Sequence, residues 1–352
     1  MAIDHRQLYA TPSFAQQDAG AIRRVIRELA PQDWLVFAYL VALNVACLQA
    51  PASSMRTQCL ERVFGLLTFL VTTLVVVRGG LFRHAFWAPL LYRLAIYGTV
   101  QLSYFFFQDL LPIVNATSLD WELYHLDLAL FGFEPAMLMD RFVNPITTEW
   151  FAFFYFGYFF LLALHVIPIL MFSRQRRLIA EFALGMLIVF CIGHTVYMLV
   201  PGYGPYKAMA DQFQNEFPRG MWLDMVMTTV TAGGAQKDIF PSLHTAAPTF
   251  IALFSFRHRD KLPFRYTWPA VTFFAVNIIL ATMFLRWHYI IDVVAGLGLA
   301  TSAIVIAVHV VRRDASRRVS SGLLPSWPMF SERRNPELAS DPASTASAHV
   351  TN

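Results

Sequence analysis

Charge is what this chain has little of. Only 14% of its 352 residues are Asp, Glu, Lys or Arg, where soluble domains carry about 25%. That deficit excludes an ordinary water-soluble globule and points to a lipid environment. Cysteine is scarce as well. Cys47, Cys59 and Cys191 stand far apart, with neither a zinc-site spacing nor an even disulfide set, and read as small buried hydrophobes. The net charge of +4 does not point to nucleic acid as a partner, because the basic residues gather in short runs between apolar segments, as on the cytoplasmic side of membrane proteins. No cleavable leader is expected: the first 33 residues are polar, and the first apolar segment resembles a span.

What the chain has instead is apolar length. Hydrophobic residues make up 57% of it. A bilayer core of about 30 Å needs about 20 apolar residues in a helix, since an unpaired backbone polar group is costly in lipid. Eight stretches meet or approach this, near 33–50, 62–79, 86–112, 149–172, 178–200, 243–256, 267–285 and 288–311. The sixth is short, because Arg257, His258, Arg259 and Lys261 follow it closely. The expected fold is all-α: a polytopic membrane helical bundle of about eight transmembrane helices.

The loops orient these spans. Arg23, Arg24 and Arg27 lie in an amphipathic run before the first span, suited to the membrane surface. Arg78 and Arg83 follow the second, Ser173–Arg177 the fourth, Arg257–Arg265 the sixth, and Arg312, Arg313, Arg317 and Arg318 the eighth. Alternation puts all of these on one side, so positive residues inside would leave both termini in the cytoplasm. The opposite loop 113–148 carries Asp120, Glu122, Asp127, Glu134 and Asp140 against Arg141. Its segment Leu119–Pro135 has roughly helical apolar spacing and reads as an interfacial helix. Its acids Asp120, Asp127 and Glu134 are expected on a solvated face, with contact to a polar headgroup the other option.

Polar residues at membrane depth are functional candidates, and three groups converge on the extracytoplasmic side: Pro201–Lys207 (PGYGPYK), Phe240–His244 (FPSLH) and Arg286–Asp292 (RWHYIID). His288 and Asp292 are four apart, one face of a helix. A carboxylate there accepts a proton from one imidazole nitrogen and leaves the other to attack. Ser242 and His244 flank a helix start, where unpaired N–H groups suit an anion, and His244 suits protonation of a leaving oxygen. Lys207 and Arg286 are the cations available to hold phosphoryl oxygens. Nucleophile, orienting carboxylate, acid and cationic clamps together fit phosphoryl transfer, with no metal cofactor required. Plainer readings exist. Ser242 also reads as a helix N-cap, Lys207 and Arg286 as interface anchors, His165 and His194 as hydrogen-bonded core histidines, and Arg93 as facing the bundle or a polar cavity.

The pattern P-S-x-H followed some forty residues later by H-x-x-x-D resembles the type 2 phosphatidic acid phosphatase superfamily. FPSLH with RWHYIIDVVAG, together with LDLALFGFEP and PGYGP, is most similar to its inositol-phosphotransferase-like branch, which includes inositol phosphorylceramide synthase and bacterial members. The resemblance covers roughly residues 115–300. It implies a helical bundle, a phosphohistidine intermediate at His288, Asp292 as its partner, His244 as the acid, and no metal. Two positions depart from the superfamily pattern. The first motif offers only Lys207 beside Pro205 and Tyr206, and Thr282 stands where an Arg is usual, six residues before His288. Arg286 substitutes as a clamp only if its helix begins at about His288.

The expected organisation is then a cytoplasmic segment with an amphipathic helix (1–32), three N-terminal spans (33–112), a catalytic membrane domain (113–311) and a Ser-, Pro- and Ala-rich disordered cytoplasmic tail (312–352). The expected function is cleavage of a phospholipid phosphoester, with transfer of an (inositol-)phosphate headgroup to a lipid alcohol, in an inner or plasma membrane of bacterial type. A phosphatase releasing inorganic phosphate from a lipid phosphate uses the same residues. A lipid transporter on the same scaffold would keep its activity without His288. A haem or metal protein would need His165 and His194 to face each other.

Overall fold

In lipid, backbone N–H and C=O groups find partners only within helices or closed barrels, and this chain takes the first solution. The computed structural model describes residues 14–233 and 236–330, which are helical with no strand among them. Helix α1 (Phe14–Glu28) is the amphipathic N-terminal element, followed by α2 (Pro31–Gln49) and α3 (Ser54–Arg78). Ser53 caps α3, its hydroxyl accepting the Arg56 N–H, as a short polar side chain does at a helix start. Next come α4 (Trp87–Arg93), a π-helical turn (Leu94–Gly98), α5 (Thr99–Tyr104) and α6 (Phe107–Val114). Helices α7 (Asp120–Phe131) and α8 (Pro135–Met139) occupy the long acidic loop. Then follow α9 (Pro145–Phe172), α10 (Arg176–Leu199), α11 (Pro205–Ala208), α12 (Met221–Gly233), α13 (Leu243–Arg257), α14 (Phe264–Phe284) and α15 (Ile290–Ser320).

Six of these, α2, α3, α9, α10, α14 and α15, are long and apolar enough to cross a membrane, so the chain is an integral membrane protein with a polytopic helical bundle. The other two expected spans are irregular. The third is one helical run interrupted by the π-helical turn and again at Phe105–Phe106. The sixth, α13, has 15 residues, about 22 Å at 1.5 Å per residue, before the basic run ends it. A count of eight depends on these two.

Helix α10 is the central post. Its residues are buried almost all round from Leu178 to Val189, and α2, α9, α13 and α15 pack against it. Helix α13 is wedged between α14 and α15. Small residues let membrane helices approach closely, and Gly296 does so where it matters most. A Cβ there would lie 2.6 Å from the Ser242 carbonyl oxygen. The starts of α13 and α15, which carry the two histidine motifs, are thereby brought together.

The C-terminal region departs from expectation. Residues 312–320 continue α15, and the irregular stretch 321–330 after it docks on the bundle instead of forming a disordered tail. The cause is two cations in apolar surroundings that need acceptors. Arg78 is paired with Asp33 at 2.8 Å and also donates to the Pro325 and Ser326 carbonyls at 3.2 and 2.7 Å. Arg93, which indeed faces the bundle, donates to the Leu170, Pro89 and Pro328 carbonyls. Between them Trp327 is 1% exposed and packs against Tyr92 and Tyr97. The remainder of the expected tail, 331–352, lies outside the described residues.

Truncating this anchor leaves a cavity against Tyr92 and Tyr97. Trp327→Ala is expected to destabilise the purified protein by about 3–5 kcal/mol, read as a lowered thermal unfolding midpoint, with Trp327→Phe falling between the variant and wild type.

Candidate active site

The site grows from two helix starts. Ser242 is the N-cap of α13 and its hydroxyl accepts the Thr245 N–H at 3.2 Å, so the plain capping reading holds for it. Capping at Ser242 fixes where the helix begins and puts His244 in its first turn. The His244 imidazole lies flat on Tyr155, with centroids 4.4 Å apart and planes at 9°, and against Tyr158 at 4.2 Å. Its Nε2 is buried with no hydrogen-bond partner. An imidazole held flat by two phenols keeps one orientation, and a buried polar atom without a partner in the protein is one that a ligand can satisfy.

The second start differs in detail from the expectation. His288 and Asp292 were expected on one helical face, yet α15 begins at Ile290, so His288 precedes the helix. They meet because Asp292 sits at the third helical position and reaches back, accepting the Tyr289 N–H at 3.0 Å, as the acidic member of a capping box does. The same Oδ2 lies 3.2 Å from His288 Nδ1. Asp292 is fully buried, and the turn that delivers His288 is held by Thr282, whose carbonyl accepts from Trp287 and His288. The Ser242 N–H donates to the Asp292 carbonyl at 3.0 Å, tying the motifs together through backbone. The two imidazole centroids are 6.5 Å apart. One ring comes from the first turn of α13 and the other from the turn before α15, and the two are neighbours.

The PGYGP segment packs under this turn. Gly204 has φ +89°, and a Cβ there would lie 2.2 Å from the Trp287 carbonyl oxygen; only glycine fits that backbone and that approach. The Tyr206 N–H donates to the Arg286 carbonyl at 2.7 Å. Lys207 is exposed, its Nζ 3.6 Å from the centre of the Tyr203 ring. Arg286 is only partly engaged by the protein. Its φ is +66°, and Nη2 is held by Asp140 at 2.6 Å and the Asn215 carbonyl at 2.5 Å, between the rings of Phe213 and Phe217. Helix α15 begins late enough for a clamp, and the Arg286 Nε is buried with no hydrogen-bond partner. Lys237 is likewise occupied, donating to the carbonyls of Asn115, Ala116 and Thr117. Thr282 is buried and bonds to the Ile279 carbonyl.

The acids of α7 overturn their expectation most clearly. Asp120 and Asp127 are seven apart on the same helical face and are buried, while Trp121, Leu126 and Leu130 are exposed. The solvated face was assigned backwards: the acids point inward because backbone donors wait there. Asp120 accepts from the Tyr203 and Gly204 N–H groups at 2.9 and 2.8 Å and from the Tyr289 hydroxyl at 3.1 Å, and also pairs with Ser118. Asp127 accepts the Ile290 and Ile291 N–H groups at 2.6 and 2.9 Å. Glu134 is buried beside it.

Asp238 was not singled out from sequence. Burial raises its carboxyl above the usual range, against the Tyr104 hydroxyl that donates to it at 2.8 Å and against the charge of His288. Its position three residues before PSLH in the chain was the available signal. His194 and His165 are core histidines. His194 sits among Tyr39, Tyr104, Phe107 and Tyr197, and His165 bonds to the Leu161 carbonyl of its own helix. No group of three or more potential metal ligands occurs among the described residues.

An imidazole with a buried carboxylate behind it and a second imidazole 6.5 Å away, centre to centre, is an arrangement that can divide phosphoryl transfer between attack and protonation. No curated protein and no solved structure matches the chain. The family profile described as PAP2 superfamily matches residues 121–306, more than half of the chain and both histidine motifs. The chain belongs to the PAP2 superfamily.

Proposed function

We propose that this protein cleaves a phospholipid phosphoester through a phosphohistidine at His288 and passes the phosphate-bearing headgroup to a lipid alcohol. Membership of the PAP2 superfamily in a membrane-embedded chain supports a lipid phosphatase kind of function. The observation that carries the finer reading is the facing pair of imidazoles, 6.5 Å between centroids, with Asp292 behind His288 alone.

On this reading the Asp292 carboxylate accepts a hydrogen bond from the Nδ1–H of His288, which fixes the tautomer and leaves Nε2 with the lone pair. Nε2 attacks phosphorus as the P–O bond to the leaving alcohol breaks, and His244 gives that oxygen its proton. The neutral His244 then takes a proton from the acceptor hydroxyl, whose oxygen attacks phosphorus and releases His288. Water in the acceptor's place makes the same chemistry a phosphatase. The basic runs beside the spans support both termini in the cytoplasm and the pocket on the opposite side.

The charge inventory favours a diester donor. Lys237 is committed to protein acceptors and Thr282 is neutral; the Arg286 charge is paired with Asp140 through Nη2, leaving its Nε without a partner, and Lys207 lies exposed. A phosphomonoester dianion needs more compensating charge in a low-dielectric pocket than a singly charged phosphodiester does. Phosphatidylinositol-type donors fit this charge balance, as does the resemblance to the inositol-phosphotransferase-like branch.

The test offers purified protein in vesicles phosphatidylinositol or phosphatidic acid, with and without a diacylglycerol or ceramide acceptor. Headgroup phosphate appearing on the acceptor is the expected result; inorganic phosphate from phosphatidic acid as the only product would replace the transferase reading with the phosphatase one. His288→Ala is expected to abolish turnover, and undiminished activity in it would leave a transporter. Asp292→Asn should lower kcat about 10²–10⁴-fold through the wrong imidazole tautomer, measured on the same products.

A further inference from the structure

Besides the two histidines and Asp292, a second set of buried acids holds the start of α15 from outside it. Asp127 is fully buried and spans the first two N–H groups of α15, those of Ile290 and Ile291. Such groups have no partner within a helix and carry its partial positive charge. A carboxylate delivered from α7 is therefore their cap. Glu134, the N-cap of α8, lies behind it, 3% exposed; its Oε1 accepts the Ala136 N–H at 3.1 Å. Its Oε2 is buried with no donor aimed at it. A carboxylate oxygen so placed is unsatisfied, but a carboxylic acid O–H can donate to Asp127.

Two buried carboxyl groups in contact do not both ionise readily, and one proton is shared between them. Burial first, and the neighbouring Asp127 charge after it, push the Glu134 carboxyl up to about 8, while the Ile290 and Ile291 N–H donors oppose the rise that burial imposes on Asp127. The charged groups acting on Glu134 are Asp127 from α7 and Asp292 from α15, both of the same sign. Tyr289, between them, is bonded to Asp120. On the side of α14, Arg286 is neutralised by Asp140. Among the described residues, no Lys or Arg offsets a second negative charge at this pair.

We propose that Asp127 and Glu134 are a proton-sharing carboxyl pair that positions the first turn of α15, and through Asp292 the His288 imidazole, and that losing the shared proton slackens this hold. The inference rests on the reading of His288 as nucleophile. Asp127 and Glu134 are positioning residues: they touch backbone and each other, and act on His288 through Tyr289–Asp292. With Glu134 protonated, its O–H joins Asp127, and both Asp127 oxygens remain on the helix start. With Glu134 ionised, three carboxylates crowd one buried turn. Activity therefore belongs to the protonated form, present below about 8 and lost as pH rises through it.

The full chain in vesicles, turning over fluorescent phosphatidylinositol with diacylglycerol between pH 6 and 9.5, tests this. Wild-type kcat is expected to fall about tenfold per pH unit above the break, with KM within about twofold. Glu134→Gln keeps an N–H donor and cannot ionise, so its ratio of kcat at pH 7 to pH 9 should drop from about ten to about one. Asp127→Asn should lose about tenfold or more in kcat at every pH. Infrared spectroscopy supplies a readout independent of turnover: a protonated-carboxyl stretch present at pH 7, lost above the break, absent from Glu134→Gln and retained in His288→Ala. An alkaline fall that persists in Glu134→Gln, or the absence of such a titrating band, overturns the pair. Activity surviving in His288→Ala overturns the nucleophile reading instead, and the infrared band then judges the pair alone. Should Asp127→Asn not fold, the Glu134→Gln profile and the wild-type band decide.

Discussion

The first turn of α15 presents backbone N–H groups that its own helix cannot satisfy, and their satisfaction by carboxylates is the constraint around which the site is assembled. Asp292 takes the Tyr289 N–H from inside the helix, and Asp127 takes those of Ile290 and Ile291 from outside. Water would serve at an exposed helix start. Here the start is buried, so each missing partner would cost about 1–3 kcal/mol. The carboxylate oxygen that caps the helix is the same one that meets His288 Nδ1. Helix initiation and imidazole orientation are thus one interaction.

The surrounding loops are locked in the same manner. Asp120 gathers the Tyr203 and Gly204 backbone and the Tyr289 hydroxyl, and Asp140 gathers Arg286, the Gln214 N–H and the Asn215 side-chain amide. Four acids of the segment 113–148, Asp120, Asp127, Glu134 and Asp140, are in this way buried around the turn that leads into α15. Their oxygens are met by backbone donors and one guanidinium. The opposite end of the bundle uses the reverse chemistry, with buried Arg78 and Arg93 satisfied by carbonyls of the C-terminal stretch.

Much of the fold was legible because membrane burial writes itself as long apolar runs. The regular spans α9, α10 and α14 begin and end within a few residues of their apolar stretches. The third stretch was not legible as broken, because hydropathy is indifferent to whether a helix turns at 3.6 residues or opens into a π-helical turn. The tail was misjudged for a related reason. Its composition is that of disorder, yet one Trp and a few carbonyls suffice to dock it where two buried arginines lack partners. Asp238 was not legible because standing three residues before PSLH does not by itself say whether an acid ends near His288 or at the surface.

The amino-acid order alone determined that the chain is a membrane helical bundle and that FPSLH and RWHYIID belong to one face of it, since apolar length and alternation of spans are local properties. Only the tertiary structure decided what each polar side chain does there. Arg286 turned to Asp140, the acids of α7 turned inward, and His288 met Asp292 from outside the helix, because buried hydrogen-bonding groups take whichever partners packing brings within about 3 Å. Those partners are distant in the chain, and no spacing between neighbours encodes them.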